Sequence, residues 1–139
     1  AATITGNNDY RVCDSVGILT SDPIDSVLCG YVTEALNNYA SSFPDFNIVQ
    51  DEGYFLLRYK PGGKYDYHTD QHKEYNREVT IILNLNDEYE GGELFHCKDN
   101  YKTTLGVGDV CIFPSNFMFP HRISELTSGT RYAIVTWAV

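Results

Sequence analysis

Positive charge is scarce in this chain of 139 residues. Ten lysines and arginines stand against nineteen aspartates and glutamates, which gives a net charge of −9 at pH 7. Such a chain repels phosphate backbones and gains little from counterion release, so we expect no nucleic acid as a partner. The hydrophobic fraction of 42% against 21% charged residues is typical of a globular chain rather than a disordered one.

Long apolar runs are also missing. The stretch from Val79 to Leu83 is among the longest, and it is far shorter than the roughly 20 residues that cross a bilayer. No basic segment followed by an apolar one opens the chain, so no signal peptide is visible. These absences predict no membrane contact and a soluble intracellular protein.

Paired cysteines are the third absence. The chain has four cysteines with no CxxC pair, at a density too low for a disulfide-stapled scaffold. We expect reduced thiols that pack as small hydrophobic side chains. They are Cys13, Cys29, Cys97 and Cys111.

One helix stands out in a chain whose length fits a single domain, residues 1–139. Asp22 is a good N-cap and Pro23 a good first helical residue. Apolar residues then recur at helical spacing and predict a helix over about residues 23–41 with one continuous apolar stripe that packs against a sheet. The stripe comprises Ile24, Val27, Leu28, Tyr31, Val32, Ala35, Leu36 and Tyr39.

The rest of the chain, about residues 47–139, carries signals of short strands separated by glycine-rich or asparagine-rich turns. A helix followed by many antiparallel strands predicts a mainly β (α+β) fold, a double-stranded β-helix or jelly roll with a supporting N-terminal helix. The predicted strands are 47–50, 54–59, 64–69, 79–85, 92–96, 109–114, 118–124 and 132–138.

Two histidines and one aspartate form the pattern with the clearest chemistry. His68 and Asp70 are two residues apart at the end of a predicted strand, so both side chains point to one face. His121 lies in a later apolar strand and can join them only through folding. Two imidazoles and one carboxylate occupy one face of an octahedral iron(II) and leave the other positions open. The sequence therefore predicts an iron site.

Arg131 is the fourth candidate residue. It has the strand parity of Ala133, Val135 and Trp137, which predicts that it points inward. A guanidinium there needs an anion, and a dicarboxylate such as 2-oxoglutarate would bind it bidentately. The alternative is an ordinary salt bridge to one of the nineteen acidic residues.

These residues belong to a longer pattern. In chain order it reads Tyr59-x-x-Gly62-x-x-Tyr65-x-x-His68-x-Asp70, Arg77-Glu78-Val79-Thr80, Glu90-Gly91-Gly92-Glu93-Leu94, Gly108-Asp109, Phe113-Pro114-Ser115, His121, Arg131 and Trp137. Over about residues 54 to 139 the chain resembles the prolyl 4-hydroxylase-type 2-oxoglutarate oxygenases. The run from Tyr59 to Asp70 is the most specific part of the match.

The resemblance implies iron(II), 2-oxoglutarate and O2 as cofactors and cosubstrates, with ascorbate as an additional reductant. It implies iron ligands at His68, Asp70 and His121, and cosubstrate-binding residues at Tyr59, Arg131 and Trp137. One position departs from the family pattern. Asn84 stands where many members have a second cosubstrate-binding tyrosine, and we expect its amide to donate one hydrogen bond there.

The expected reaction is hydroxylation of a prolyl residue at the 4-position in a peptide or protein, with release of succinate and CO2. Extended proline-rich segments bind well in aromatic-lined grooves. The candidate substrate-binding residues are Tyr65, Tyr67, Tyr75 and Arg122. The alternative for each of them is sheet packing or a solvated surface.

Several other functions fit part of the pattern. The same chemistry could act on lysyl or other residues, a free amino acid or alkylated nucleic acid, and a non-catalytic jelly-roll binding module would have lost an iron ligand. His68 and His72 would bind zinc if they lay on a helix. His96 beside Cys97 is either a soft-metal pair or, as we favour, an exposed histidine at a strand end. No cysteine lies in an electropositive turn that would activate a nucleophile.

Overall fold

The computed structural model of the chain describes residues 3–139, with side chains from residue 8 onward. One helix and twelve strands follow one another along this part of the chain. They are β1 Thr3–Asn7, β2 Arg11–Gly17, α1 Pro23–Ala40, β3 Phe55–Tyr59, β4 Lys64–His68, β5 Val79–Asn84, β6 Tyr89–Gly91, β7 Leu94–His96, β8 Tyr101–Thr103, β9 Val110–Pro114, β10 His121–Ile123, β11 Leu126–Gly129 and β12 Arg131–Ala138.

The strands form one long antiparallel sheet and a small two-stranded one. The long sheet has the order β8-β7-β10-β4-β2-β3-β12-β5-β9, with β1 paired to β2, and β11 pairs with β6. The sheet is strongly curled, and this mainly β architecture with one helix confirms the predicted jelly roll. Most neighbouring strands in this sheet are not consecutive in the sequence, so the sheet depends on contacts between distant parts of the chain.

Strand β5 shows why the curled sheet has two hydrophobic layers. Its six residues are all buried, because one face packs inside the jelly roll and the other packs under the helix. Ile82 belongs to the inner cluster with Leu57 and Val135. Val79 and Ile81 belong to the outer cluster with the helix. Alternate residues of β5 therefore face the interior, where the candidate site lies.

Helix α1 begins as predicted. The Asp22 side chain accepts a hydrogen bond of 3.1 Å from the backbone N–H of Ile24, and Pro23 is the first helical residue. Only Leu28 and Val32 are buried, whereas Val27 and Tyr31 of the predicted stripe are 50% and 61% exposed. The helix packs against the sheet as predicted, but the sheet covers a narrower arc of the helix than the apolar stripe spans.

The strand predictions failed in the N-terminal part of the chain. Residues 47–50 form no strand in the structure. Val49 and Gln50 make backbone hydrogen bonds to Val139, and an isolated bridge joins the next residue, Asp51, to Ala138. Strands β1 and β2 were not predicted at all, because their residues show no clear alternation of apolar and polar side chains. They are held by pairing with each other and with β3 and β4.

All four cysteines are free thiols, but they do not share one environment. Cys13 is buried, Cys29 is exposed, and Cys97 and Cys111 are intermediate. The expectation of small hydrophobic packing therefore fits Cys13 and is wrong for Cys29. Within residues 3–139, no helix is both long and apolar enough to cross a membrane.

Candidate metal centre and cavity

The predicted ligand residues come together at the junction of two paired strands. His68 ends β4 and His121 begins β10, and these two residues are direct partners in the antiparallel pairing. Asp70 follows His68 by two residues. One ligand atom from each of the three side chains lies within 4.8 Å of the others. Sheet pairing alone therefore brings together residues that are far apart in the chain.

An irregularity in β4 decides which of its side chains face this cluster. His121 pairs with His68 and Ile123 pairs with Tyr65, so three steps along β4 match two along β10. A bulge of this kind changes the alternation of side chains along a strand. Tyr65 and His68 consequently lie together, with their rings stacked 3.6 Å apart at 13°. Regular alternation would have put them on opposite faces.

The backbone fixes the orientation of both imidazoles. Nδ1 of His68 lies 2.8 Å from the carbonyl oxygen of Asp66, and Nδ1 of His121 lies 3.4 Å from that of Phe119. A carbonyl oxygen only accepts hydrogen bonds, so Nδ1 carries the proton in each ring. The Nε2 atoms are then left with lone pairs, which is the form that binds a metal ion.

Those Nε2 lone pairs face the carboxylate of Asp70. One Asp70 oxygen is 3.4 Å from Nε2 of His68 and the other is 3.4 Å from Nε2 of His121. Burial lowers the pKa of His121 to about 4, so this ring is neutral at pH 7. Acceptor atoms that face one another in this way fit a bound cation.

Asp70 is oriented by further groups. The hydroxyl of Thr80 donates to Asp70 Oδ2 at 2.8 Å and lies 2.9 Å from the hydroxyl of Ser115. Because Thr80 has a single hydroxyl proton, Ser115 donates to Thr80. Arg77 donates to the Asp70 carbonyl oxygen at 3.2 Å and pairs with Glu52 at 2.7 Å. Contacts of this kind hold a metal ligand in place.

A cavity of about 350 Å³ opens beside the three ligand residues. Its size fits a small dicarboxylate together with part of a second molecule. Aliphatic side chains form part of its wall, and polar and aromatic side chains form the rest. The polar and aromatic residues outside the ligand cluster include Arg11, Tyr59, Tyr65, Arg77, Arg131 and Trp137.

Arg131 lies at the start of β12 and is only 2% exposed. Its Nε atom is buried without a hydrogen-bond partner, and so is the indole nitrogen of Trp137. Both side chains line the cavity. Because a buried donor without a partner is costly, these groups fit a ligand that supplies acceptor oxygens.

The Gly91-Gly92 turn leaves room for Arg131. A Cβ atom on Gly92 would lie 3.1 Å from Cδ of Arg131, and one on Gly91 would lie 2.2 Å from the carbonyl oxygen of Glu125. Both glycines also have positive φ, at 75° and 62°. A side chain at either position would collide with the start of β11 or with Arg131 and displace the turn.

Tyr59 is buried beside Arg131, whose guanidinium carbon is 5.5 Å from the centre of the tyrosine ring. Burial raises the pKa of the Tyr59 phenol, so the hydroxyl keeps its proton at neutral pH. Tyr59 lines the cavity and can donate a hydrogen bond there.

Asn84 lies elsewhere. Its side chain is fully buried on the inner face of β5, but it is not part of the cavity wall. The amide nitrogen donates to three backbone carbonyl oxygens, of Asn86 at 2.8 Å, Leu105 at 3.3 Å and Gly106 at 3.4 Å. The amide oxygen accepts a hydrogen bond from Tyr89. The structure therefore uses the Asn84 amide to hold a loop rather than to face the cavity.

The four candidate substrate-binding residues divide into two groups. Tyr65 lines the cavity, and Tyr75 is half exposed on the neighbouring loop with its ring 5.2 Å from that of His72, which also lines the cavity. Tyr67 and Arg122 lie outside it. The Tyr67 hydroxyl and the Arg122 guanidinium both contact the carboxylate of Asp99, and neither side chain reaches the cavity wall.

The remaining histidines do not form the other predicted metal sites. His68 lies on a strand, so its spacing to His72 does not produce a helical zinc pair. His96 is 8% exposed, and the prediction of an exposed histidine was wrong. Its ring packs edge-on against Phe113 at 4.6 Å, and Cys97 contacts the carbonyl of Met118. Among the described residues, the cluster of His68, Asp70 and His121 is the one group suited to a metal ion.

Sequence reasoning missed several residues of this site. Thr80, Ser115 and Arg77 lie in segments that had been recognised, but nothing in the local sequence shows that they contact Asp70. Arg11 was missed altogether. It lies on β2, an unpredicted strand, and its place in the cavity wall follows from the pairing of β2 with β4.

Comparison with known proteins extends these observations. The sequence pattern of the family described as the 2OG-Fe(II) oxygenase superfamily matches residues 54–139. A PKHD-type hydroxylase of Aliarcobacter butzleri is 27% identical over 148 aligned residues, which cover 95% of this chain and 63% of the relative. The chain thus spans less than two thirds of the length of this curated relative.

Solved structures share the fold. A prolyl hydroxylase from Trichoplax adhaerens, in complex with a peptide fragment of the hypoxia inducible factor oxygen degradation domain, has a TM-score of 0.75 at 21% identity and covers 96% of this chain and 65% of its own. A Pseudomonas putida prolyl-4-hydroxylase has a TM-score of 0.74 at 19% identity, with coverage of 94% and 73%. At these identities the likeness concerns the fold.

Proposed function

Because the chain belongs to the 2OG-Fe(II) oxygenase superfamily, we propose that it is an iron(II)- and 2-oxoglutarate-dependent dioxygenase that hydroxylates prolyl residues of peptides or proteins at the 4-position. The observation that carries the proposal is the arrangement of His68, Asp70 and His121. Two imidazole lone pairs and a carboxylate face one another at 3.4 Å, as iron(II) ligands of this type do.

The residues present fit the cofactors of this class. His68, Asp70 and His121 would hold iron(II), and Arg131 would bind the distal carboxylate of 2-oxoglutarate, with Tyr59 and Trp137 as further donors. Bound iron(II) supplies the oxygen chemistry, in which O2 and 2-oxoglutarate are consumed, succinate and CO2 are released and one oxygen atom enters a C–H bond of the substrate. The chain itself positions these ligands and shields them from bulk water.

Prolyl specificity is supported by the relatives and by the cavity wall. The relative from Aliarcobacter butzleri and both solved structures are named as hydroxylases, and one of those structures contains a peptide. In this chain, Tyr65 and Trp137 provide aromatic surface in the cavity wall, with Tyr75 on the adjacent loop. An aromatic wall of this kind suits the pyrrolidine ring and the extended backbone of a proline-rich peptide.

The cofactor assignment is tested by anaerobic titration with iron(II) and then 2-oxoglutarate. We expect the visible absorption band of iron(II) chelated by a 2-oxo acid, and we expect His121→Ala to abolish it. Arg131→Gln should weaken 2-oxoglutarate binding far more than iron binding, because it removes a carboxylate partner and no metal ligand. A band that persists unchanged in His121→Ala would contradict the assignment.

The substrate assignment needs a separate experiment. We expect proline-rich peptides to stimulate succinate release and to gain one oxygen atom, with 4-hydroxyproline found after hydrolysis. Lysine-containing peptides, free proline and methylated DNA are the comparison substrates. Stimulation by one of these alone would replace the prolyl-peptide proposal while leaving the oxygenase chemistry intact.

A further inference from the structure

The arginines of this chain divide into two groups. Three of the five form ion pairs with a carboxylate, namely Arg58 with Asp14, Arg77 with Glu52 and Arg122 with Asp99. The other two, Arg11 and Arg131, take part in no ion pair among the described residues. Both of them line the cavity beside the candidate metal ligands. In a chain with nine more acidic than basic residues, two arginines without acidic partners in one cavity call for an explanation.

Arg11 reaches the cavity from the first residue of β2. It pairs with Tyr65 of β4, and its guanidinium carbon lies 4.8 Å from the centre of the Tyr65 ring. Its Nε atom donates to Sγ of Cys13 at 3.1 Å. Tyr65 in turn stacks on His68. A chain of contacts therefore holds the Arg11 guanidinium close to the metal ligands.

These contacts leave part of the guanidinium unused. They involve the Nε atom and the flat face, and neither terminal amino group has a hydrogen-bond partner among the described residues. A guanidinium keeps its charge at all ordinary pH values, and its fork of donors matches a carboxylate. The side chain is partly buried, so the charge is only partly solvated. Such a group is best stabilised by an anion that binds in the cavity.

The charges of the cavity favour more than one anionic ligand. Arg77 is neutralised by Glu52, and Asp70 is the one acidic residue in the cavity wall. With a divalent ion in place, Arg11, Arg131 and the ion oppose a single carboxylate, which leaves three positive charges. A dicarboxylate such as 2-oxoglutarate neutralises two of them. One positive charge then remains for a carboxylate of another molecule.

We propose that Arg11 is a second carboxylate-binding residue of this cavity, in addition to Arg131. The charge balance favours the substrate as the source of the carboxylate, in the form of a free amino acid, a chain terminus or an acidic side chain near the hydroxylated residue. The alternative source of the carboxylate that binds Arg11 is 2-oxoglutarate itself. The proposal rests on the proposed function for the identity of the ion and of the cosubstrate.

The position of Trp137 allows a test by binding alone. It is the single tryptophan of the chain and lines the cavity, so its fluorescence should report ligands that enter. Zinc(II)-loaded protein, which does not turn over, is titrated with 2-oxoglutarate and then with N-acetyl-L-proline or its amide. The variants are Arg11→Gln and, as a matched control, Arg58→Gln, which removes an arginine whose ion pair lies outside the cavity.

We expect Arg11→Gln to weaken carboxylate binding by about tenfold or more, as for the loss of a charge-assisted hydrogen bond. Weaker 2-oxoglutarate binding identifies the cosubstrate as the source. If 2-oxoglutarate binding is unchanged and the preference for the acid over the amide is lost, the substrate is the source. Arg58→Gln should change neither affinity.

Two results overturn the proposal. One is unchanged 2-oxoglutarate affinity in Arg11→Gln together with no acid-specific binding that depends on Arg11. The other is an equal loss in Arg58→Gln, which would indicate a general effect of charge. If Arg11→Gln does not fold, the same titrations are made with Arg11→Lys. Lysine keeps the positive charge but lacks the planar fork of donors that matches a carboxylate. Failure of prolyl hydroxylation would leave these binding results unaffected, so the two proposals fail separately.

Discussion

At the scale of single residues, the candidate metal site depends on groups that hold Asp70 in place. Thr80 and Ser115 form a short relay of hydroxyl groups that ends on Asp70 Oδ2. Arg77 holds the backbone of the same residue through its carbonyl oxygen. The sequence pattern included these residues without indicating what they contact, because hydrogen bonds between distant segments leave no local signal.

Thr80→Val should weaken metal binding by about tenfold, because it removes the hydrogen bond to Asp70 while keeping the shape of the side chain. Thr136→Val is the matched control. The Thr136 hydroxyl is buried without a partner, so its removal should leave metal affinity unchanged and stability equal or higher. Metal affinity is measured by competition with a chelating dye. Equal affinities in the two variants would contradict the role given to Thr80.

His96 should make the stability of the metal-free protein depend on pH. Burial lowers its pKa, so the folded chain takes up a proton less readily than the unfolded chain, in which histidine titrates near pH 6.5. The free energy of unfolding should therefore fall as the pH drops below about 6.5 and continue to fall until the lowered pKa is reached. His121, with a pKa lowered to about 4, adds to this effect.

The measurement is urea unfolding at several pH values between about 7.5 and 5 in the presence of a chelator. His96→Met should reduce the dependence, because it removes one buried titrating group. His72→Met, at an exposed position, serves as the control and should show the same dependence of unfolding free energy on pH as the wild type. Identical curves for wild type and His96→Met would show that His96 does not contribute.

At the scale of secondary-structure elements, regular patterns were readable and irregular ones were not. The helix was predictable from Asp22, Pro23 and its apolar spacing, since these features act within one or two turns. The bulge in β4 was not predictable, although it decides that Tyr65 and His68 face the same way. Strand β2 was missed because its stability comes from its neighbours in the sheet rather than from its own composition.

The helix offers a paired test of which apolar residues are buried. Val32→Ala should lower the free energy of unfolding by roughly 2 kcal/mol, because Val32 is buried against the sheet. Val27→Ala should change it by less than about 0.5 kcal/mol, because Val27 is 50% exposed. Denaturant unfolding of both variants measures the difference. Similar losses would mean that Val27 is covered in solution.

At the scale of the whole molecule, buried donors without partners and facing acceptors lie together around one cavity of the jelly roll. The core on either side of β5 is apolar and well packed. The unpartnered donors of Arg131 and Trp137 and the facing acceptors of His68, Asp70 and His121 all lie at the cavity. Such a fold carries a stability cost that ligands can relieve, so binding and stability should be strongly coupled.

Metal ions should stabilise the folded chain by about 2.7 kcal/mol at a free concentration one hundred times the dissociation constant. Asp70→Asn should abolish this gain. In the metal-free state the same variant should be at least as stable as the wild type, because an amide can donate to a histidine Nε2 where the carboxylate faces its lone pair. Thermal unfolding with and without zinc(II) measures both effects. A metal-free Asp70→Asn protein that is clearly less stable would contradict the electrostatic interpretation.

The sequence alone determined the fold class and the helix start, because local spacing and turn chemistry carry that information. It identified the residues of the candidate metal site through a pattern that extends from Tyr59 to Trp137. Tertiary structure decided the environments of Arg11, Asn84, His96 and Arg122. Each of these depends on a partner between 17 and 54 residues away in the chain. Arg11 enters the cavity through strand pairing, Asn84 is held by a loop, His96 is covered by Phe113 and Arg122 is paired with Asp99. Burial and pairing of this kind are properties of the assembled sheet, and no short segment of sequence encodes them.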